Sequence, residues 1–210
     1  HAAGDVYVVH NGIIENYAAL KAELSECGYK FKSETDTEVA AAEIDFFYKR
    51  EKSPLKALKK ATEKFIGSYA FGVFFADRPD EVYAARKDSP LIVGIADDGN
   101  FIASDITAIL RYTRRYIGIE DGEFVKITRT DISIYDNALN PTEKAIQTAN
   151  WDVDAAEKGG YPHFMLKEIN EEPEAVRKTL HARLKDGLPD FTDDGADDSL
   201  LSGIKRIHIV

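Results

Sequence analysis

VYVVHNGIIENY, residues 6–17, is the stretch where the chain changes from a strand pattern to a helical pattern. Residues 6–10 form a short β-rich run. The Asn11-Gly12 pair that follows usually makes a hairpin turn between two strands. Here, however, apolar residues at helical spacing come next, and they predict a helix over residues 14–27. The sequence therefore places Asn11-Gly12 at a strand-to-helix junction.

Two more helices are predicted before the pattern changes again. Residues 35–50 have helical periodicity, and Thr35 followed by Glu38 has the form of a capping box. Residues 53–65 predict the next helix, because Pro54 lies in its first turn, where a missing N–H does no harm.

Seven short β-patterned segments follow, separated by turns rich in Asp and Gly. They cover residues 69–76, 81–86, 91–96, 101–104, 116–119, 123–127 and 131–135. Strands so closely spaced imply antiparallel sheet. With long helices ahead of them, the fold class is α+β, with sheets packed under helices.

The last third of the sequence has a different character. Residues 163–185 predict a helix interrupted at Pro173, and residues 186–198 resemble an acidic, solvated linker. Residues 204–210 predict a buried strand, which needs partner strands to be stable. We therefore expect the chain to stop inside a further domain. Its first residue, His1, is not Met, and we expect it to have been cut at that end as well.

Composition excludes several classes of function. The 210 residues carry a net charge of −10 and a pI near 5.0, which disfavours nucleic acid as a partner. No apolar run reaches the roughly 20 residues of a membrane span. The single cysteine, Cys27, allows no internal disulfide and fits a reduced cytoplasmic setting. We find no phosphate-binding loop, no dinucleotide fingerprint and no set of metal ligands, so no cofactor is implied.

Two segments could carry chemistry. The Asn11 amide and a following backbone N–H could donate to a developing oxyanion, although a simple tight turn accounts for the same pair. Asp36, in a first helical turn, could bind a substrate ammonium, although acidic residues there also suit the helix dipole. Cys27 is a poor nucleophile, because it lies at a predicted helix C-terminus. The pattern alone leaves each of these alternatives open.

The same segments resemble a known family, the class II glutamine amidotransferases, which use an N-terminal cysteine as nucleophile. The resemblance lies in VVHNGIIENY (residues 8–17) and SETDTE (33–38), followed in the family's order by GSYA (67–70) and ASD (103–105). The run EKGGYPHFMLKEI, residues 157–169, is similar to the junction in those members that deliver the nitrogen to fructose-6-phosphate. Other members share the first motifs but not this junction.

The resemblance implies roles for four residues. Asn11 and Gly12 match the oxyanion hole, and His10 beside them supports this pair. Asp36 matches the carboxylate that binds the ammonium of glutamine. The nucleophilic cysteine of the family has no match in this sequence, since Cys27 matches nothing catalytic. We therefore expect these 210 residues alone to be inactive.

The resemblance also implies a fold and a division of the chain. The fold is the four-layer α/β/β/α sandwich of N-terminal nucleophile hydrolases, here truncated at its start. Residues 1–152 would be the glutaminase domain, residues 153–200 a junction and linker, and residues 201–210 the first strand of a sugar isomerase domain. The partners implied are glutamine, fructose-6-phosphate through the isomerase domain, and a second copy in a homodimer. The alternatives are a different class II amidotransferase and a non-catalytic binding module derived from one.

Overall fold

Residues 1–150, 160–181, 183–185, 187–192 and 205–206 are described by the structure, a computed structural model. The chain divides into two units, His1–Val153 and Asp154–Val210. Most of the described secondary structure lies in the first unit.

Three helices follow one another early in the first unit: α1 (Tyr17–Glu26), α2 (Asp36–Glu51) and α3 (Pro54–Thr62). The predicted second and third helices are confirmed to within a few residues. The predicted capping box is wrong, because Thr35 makes no side-chain cap. Glu38 instead turns back and accepts hydrogen bonds from the Lys32 and Ser33 N–H groups and from the Ser33 hydroxyl, at 2.6–3.1 Å. This buried carboxylate fixes the loop that leads into α2.

Two antiparallel sheets make up the rest of the first unit. In chain order the strands are β1 (Ala2–Ala3), β2 (Val6–Ile14), β3 (Gly67–Phe75), β4 (Val82–Lys87), β5 (Ile92–Ala96), β6 (Gly99–Ala103), β7 (Arg115–Gly118), β8 (Phe124–Ile127), β9 (Ile132–Tyr135), β10 (Pro141–Thr142) and β11 (Gln147–Thr148). The first sheet has the order β1-β2-β3-β4-β8-β9-β10, and the second has the order β11-β7-β5-β6. All seven predicted strands are present and antiparallel.

The first sheet packs against another layer on each of its faces. One face packs on the helices through a core that joins Val8 and Phe71 to Leu20, Ile44 and neighbouring apolar residues. The other face packs on the second sheet through a smaller core, which contains Ala70, Ala84, Leu91, Val93, Ile117, Ile119, Val125, Ile127 and Ile134. Helices and sheets thus form three layers among the described residues of this unit. The α+β class is confirmed.

The predicted junction at Asn11-Gly12 is wrong. The strand continues through both residues, with Asn11 opposite Ala70 and Gly12 opposite Tyr69, and it ends at Ile14. Strand β3 pairs with the whole length of β2, so tertiary pairing overrides the local turn preference of Asn-Gly. As a consequence α1 begins at Tyr17, three residues later than predicted.

In the second unit, helix α4 (Phe164–His181) contains Pro173 without a break. The predicted interruption is therefore wrong, since solvent can satisfy the carbonyl that proline leaves unbonded in an exposed helix. Strands β12 (Leu184–Lys185) and β13 (Leu188–Pro189) form a small hairpin, where the sequence predicted first the helix end and then a linker. The predicted strand at residues 204–210 lies outside the described residues, apart from 205–206, which are not in a strand.

Candidate functional site

The outer edge of β2 is the most unusual backbone feature of the first unit. Val8 donates its N–H to the His1 carbonyl at 2.8 Å, and Ile14 donates its N–H to Asp36 Oδ2, also at 2.8 Å. These even-numbered residues point their backbone groups away from β3, and by alternation so does Gly12. No described strand pairs with this edge beyond Val8. The Gly12 N–H is therefore offered to a ligand or to solvent.

Gly12 adopts a backbone conformation that other residues rarely reach. Its φ is +124°, and a Cβ built on it would lie 2.2 Å from the Ser68 carbonyl oxygen. Both facts require glycine at this position, because the contact is with backbone and cannot move aside cheaply. The backbones of β2 and β3 therefore approach each other closely at Gly12.

The Asn11 side chain lies on the face of β2 turned away from the helices. On the same face Val9 and Ile13 are 73% and 66% exposed. Asn11 lines a cavity of about 200 Å³ together with Leu91, which directly precedes β5, and Ser104, which directly follows β6. The Asn11 amide makes no hydrogen bond with any described residue. It is therefore available to donate to a bound molecule.

Asp36 and His10 meet on the helix side of the same edge. His10 Nδ1 lies 3.9 Å from Asp36 Oδ2 and 3.1 Å from the Thr37 hydroxyl oxygen. The His10 side chain is 2% exposed and packs against Phe71, with ring centroids 4.8 Å apart and the rings tilted by 34°. Asp36, at 21% side-chain exposure, keeps an accessible carboxylate at the N-terminus of α2.

Burial lowers the pKa of His10 below its ordinary value of 6.5, and this effect outweighs the nearby Asp36 carboxylate and the Ser68 backbone, both of which raise it. His10 is consequently neutral near pH 7. A neutral imidazole leaves the negative charge of Asp36 uncompensated and free for a cation.

Lowering the pH is expected to destabilise the first unit through His10. Between the lowered folded pKa and the value of 6.5, the unfolded chain binds more protons than the folded chain, so stability rises with pH in that window. The stability advantage of the wild type over His10→Gln should therefore be full above 6.5 and shrink as the pH falls through the folded pKa. Urea denaturation of both proteins at about pH 8 and about pH 5 checks this. A difference independent of pH would contradict it.

The structure brings three of the predicted residues to one edge and puts the fourth beside it. Gly12 and the Asp36 carboxylate lie on the outer edge of β2, His10 lies beneath them, and Asn11 projects from the opposite face. Cys27 is exposed and forms the C-cap of α1. Sequence reasoning gave no role to Thr37 or Ser104, although both lie inside quoted motifs.

Residues 1–150 and the described parts of 160–206 contain neither a metal site nor a membrane-spanning helix. No group of three or more His, Cys, Asp or Glu side chains there could hold a metal ion. Nor is any helix in those ranges long and apolar enough to cross a membrane.

Comparisons with known proteins give a consistent result. Residues 1–111 match the family described as glutamine amidotransferase domain. The chain is 50% identical over 206 residues to glutamine–fructose-6-phosphate aminotransferase (isomerizing) of Clostridium acetobutylicum, covering 98% of this chain and 34% of that relative. It is 46% identical over 187 residues to the protein of the same name from Sulfurisphaera tokodaii, covering 87% and 31%. The chain spans about a third of the length of the curated relatives it matches.

Solved structures point the same way. Glutamine phosphoribosylpyrophosphate (PRPP) amidotransferase from B. subtilis, complexed with ADP and GMP, matches with a TM-score of 0.55 and 25% identity, over 67% of this chain and 31% of that chain. A structure described as the allosteric regulatory enzyme of purine biosynthesis matches with a TM-score of 0.54 and 26% identity, over 64% and 29%.

Proposed function

This chain belongs to the glutamine amidotransferase domain family, and on that premise we propose that its first unit binds glutamine and helps to release its amide nitrogen. We further propose that the whole protein passes this nitrogen to fructose-6-phosphate, giving glucosamine-6-phosphate and glutamate. The names of the relatives support the acceptor, since the identity to them extends over nearly the whole chain.

One observation carries the proposal for glutamine: the spacing along the β2 edge. The Gly12 N–H and the Asp36 carboxylate at Ile14 are two strand residues apart, or about 7 Å. In an extended glutamine, five covalent bonds separate the amide oxygen from the α-nitrogen, which gives roughly 6 Å. The carboxylate can therefore hold the ammonium while the amide oxygen reaches the Gly12 N–H.

Each residue then has a defined task. The Asn11 amide and the Gly12 N–H donate to the oxygen that becomes negative when the amide carbon is attacked, and such donors act more strongly on the transition state than on the substrate. Asp36 fixes the orientation of the substrate through a charge-assisted contact. Neutral His10 supports the edge from below.

The attacking nucleophile is not Cys27. Cys27 is the only cysteine of the 210 residues, and it is exposed at the C-terminal end of α1. We propose that these 210 residues, expressed alone, give no glutamine turnover, while the full-length protein releases glutamate.

Asp36→Asn is the direct test in the full-length protein. Asparagine keeps an acceptor for the Ile14 N–H but removes the charge that binds the ammonium. Hydrogen bonds to charged groups contribute about 1.5–3 kcal/mol, so the KM for glutamine should rise about 10–100-fold, with kcat changed much less. The assay is glutamate release at varied glutamine concentration.

Glu34→Gln is the matched control, because this carboxylate lies two residues earlier and is 94% exposed. Its effect on the KM for glutamine should be negligible. An Asp36→Asn protein with unchanged KM would remove Asp36 from the glutamine site.

The finer architecture is also part of the proposal. The three described layers, together with the solved relatives, support a four-layer α/β/β/α sandwich with a second helical layer. A glutaminase domain over residues 1–152, a junction over 153–200 and an isomerase strand over 201–210 are proposed with it. The cytoplasmic location and the homodimer stay predictions.

A second candidate is a different class II amidotransferase, favoured by the likeness to PRPP amidotransferase. The acceptor distinguishes the two, because only the first candidate forms glucosamine-6-phosphate from fructose-6-phosphate. A third candidate, a non-catalytic module, predicts no glutamate release from the full-length protein with any acceptor.

A further inference from the structure

The Thr37 hydroxyl lies between two groups of the candidate site. Its oxygen is 3.1 Å from His10 Nδ1 and 3.4 Å from Asp36 Oδ1. The other carboxylate oxygen of Asp36 accepts the Ile14 N–H at 2.8 Å. Both oxygens of the carboxylate therefore face a potential donor, one from β2 and one from the first turn of α2.

The tautomer of His10 decides where the Thr37 proton goes. If Nδ1 carries the hydrogen, it donates to Thr37, and the hydroxyl hydrogen is free to donate to Asp36. If Nδ1 carries no hydrogen, the Thr37 hydroxyl donates to it, and Asp36 Oδ1 loses this donor. The first arrangement directs the hydroxyl hydrogen at a charged acceptor, and hydrogen bonds to charged acceptors are stronger than those to neutral ones, although at 3.4 Å this contact is longer than an ordinary O–H···O hydrogen bond.

We infer that Thr37 is a positioning residue, which holds the Asp36 carboxylate in the orientation that receives the ammonium group of an amino-acid substrate. The inference rests on the proposed glutamine site. With Ile14 on one oxygen and Thr37 on the other, the carboxylate plane is fixed relative to β2 and therefore relative to Gly12. Without the hydroxyl the carboxylate can rotate, and part of the binding free energy is spent on ordering it.

Thr37→Val removes the hydroxyl and keeps the branched shape of the side chain. In the full-length protein it should raise the KM for glutamine about tenfold and leave kcat within about twofold, because the contact acts on bound substrate and transition state alike. Thr37→Ser, which keeps the hydroxyl, should restore a KM within about twofold of the wild type.

Thr35→Val is the matched control, because the Thr35 hydroxyl contacts Ser33 Oγ and His1 Nε2 at 2.9 Å each and does not touch Asp36. It should leave the KM for glutamine unchanged. If valine at position 37 impairs folding, Thr37→Ala compared with Thr37→Ser isolates the same hydroxyl in smaller side chains.

An unchanged KM in Thr37→Val, or equal KM values for the serine variant and the variants without a hydroxyl, would overturn the inference. Asp36→Asn distinguishes a failure of the proposed role of Thr37 from a failure of the proposed glutamine site. If Asp36→Asn raises the KM and Thr37→Val does not, only the role of Thr37 fails. If the wild type releases no glutamate, or Asp36→Asn has no effect, the proposed function fails with it.

Discussion

Asn11→Ala in the full-length protein is expected to lower kcat for glutamine hydrolysis about 10²–10³-fold, the usual effect of removing one oxyanion donor. The KM for glutamine should change little, because the contact strengthens only as the carbonyl oxygen becomes negative. Folding should be unaffected, since Asn11 is exposed and its amide bonds to no described residue. Glutamate release under saturating glutamine measures the effect, with urea denaturation as the check on folding.

Asn16→Ala is the matched control, because Asn16 belongs to the same sequence motif and has the opposite role. Its amide donates to the Lys64 carbonyl at 2.8 Å and accepts from the Ile66 N–H at 3.0 Å. Removing both bonds should lower the free energy of unfolding by about 1–3 kcal/mol and leave kcat nearly unchanged. Cys27→Ser should change neither quantity.

Asn11→Ala should thus lower kcat and leave stability unchanged, whereas Asn16→Ala should lower stability and leave kcat nearly unchanged. Should Asn11→Ala keep more than about a tenth of the wild-type kcat, the Gly12 N–H would have to stabilise the oxyanion without it. Asn11→Asp sharpens the comparison, because it keeps the size of the side chain but brings a negative charge to the developing oxyanion. Its loss of turnover should be at least as large.

Much of this fold could be predicted because its elements follow local periodicity. Helix α2 and the strands from β3 to β9 have apolar residues at periods of 3.6 and 2, and such patterns are decided within a few neighbouring residues. The path of β2 could not be predicted in the same way. Its continuation through Asn11 depends on Ala70, a partner 59 positions later in the chain.

The candidate site was predicted only in part, for a similar reason. The chemistry of Asn11, Gly12 and Asp36 made them candidates beside simpler structural roles, and only the resemblance to the class II glutamine amidotransferases assigned them to a site. The role of Thr37 depends on two distances, to His10 and to Asp36, that only the packing of α2 against β2 creates. Nothing in the local sequence distinguishes its hydroxyl from that of Thr35.

Gly12→Ala is expected to destabilise the protein by about 3 kcal/mol or more, the sum of backbone strain and a forced displacement of β3. The added Cβ would lie 2.2 Å from the Ser68 carbonyl oxygen, 2.8 Å from its carbon and 2.9 Å from the Tyr69 Cα. All three are backbone atoms of the paired strand, so relief requires β2 and β3 to separate. Urea denaturation of the full-length protein measures the change.

Gly28→Ala separates the backbone strain from the displacement of β3. Gly28 also has a positive φ, of +91°, but a Cβ there would meet nothing within 4 Å. It should therefore show only the conformational penalty, about 1–2 kcal/mol. The excess in Gly12→Ala measures the close approach of the strands. Equal losses in the two variants would mean that β3 yields easily and that the shape of the β2 edge does not depend on glycine. Turnover of glutamine by Gly12→Ala, measured where the variant is folded, would then stay near the wild-type rate instead of falling with the displaced N–H.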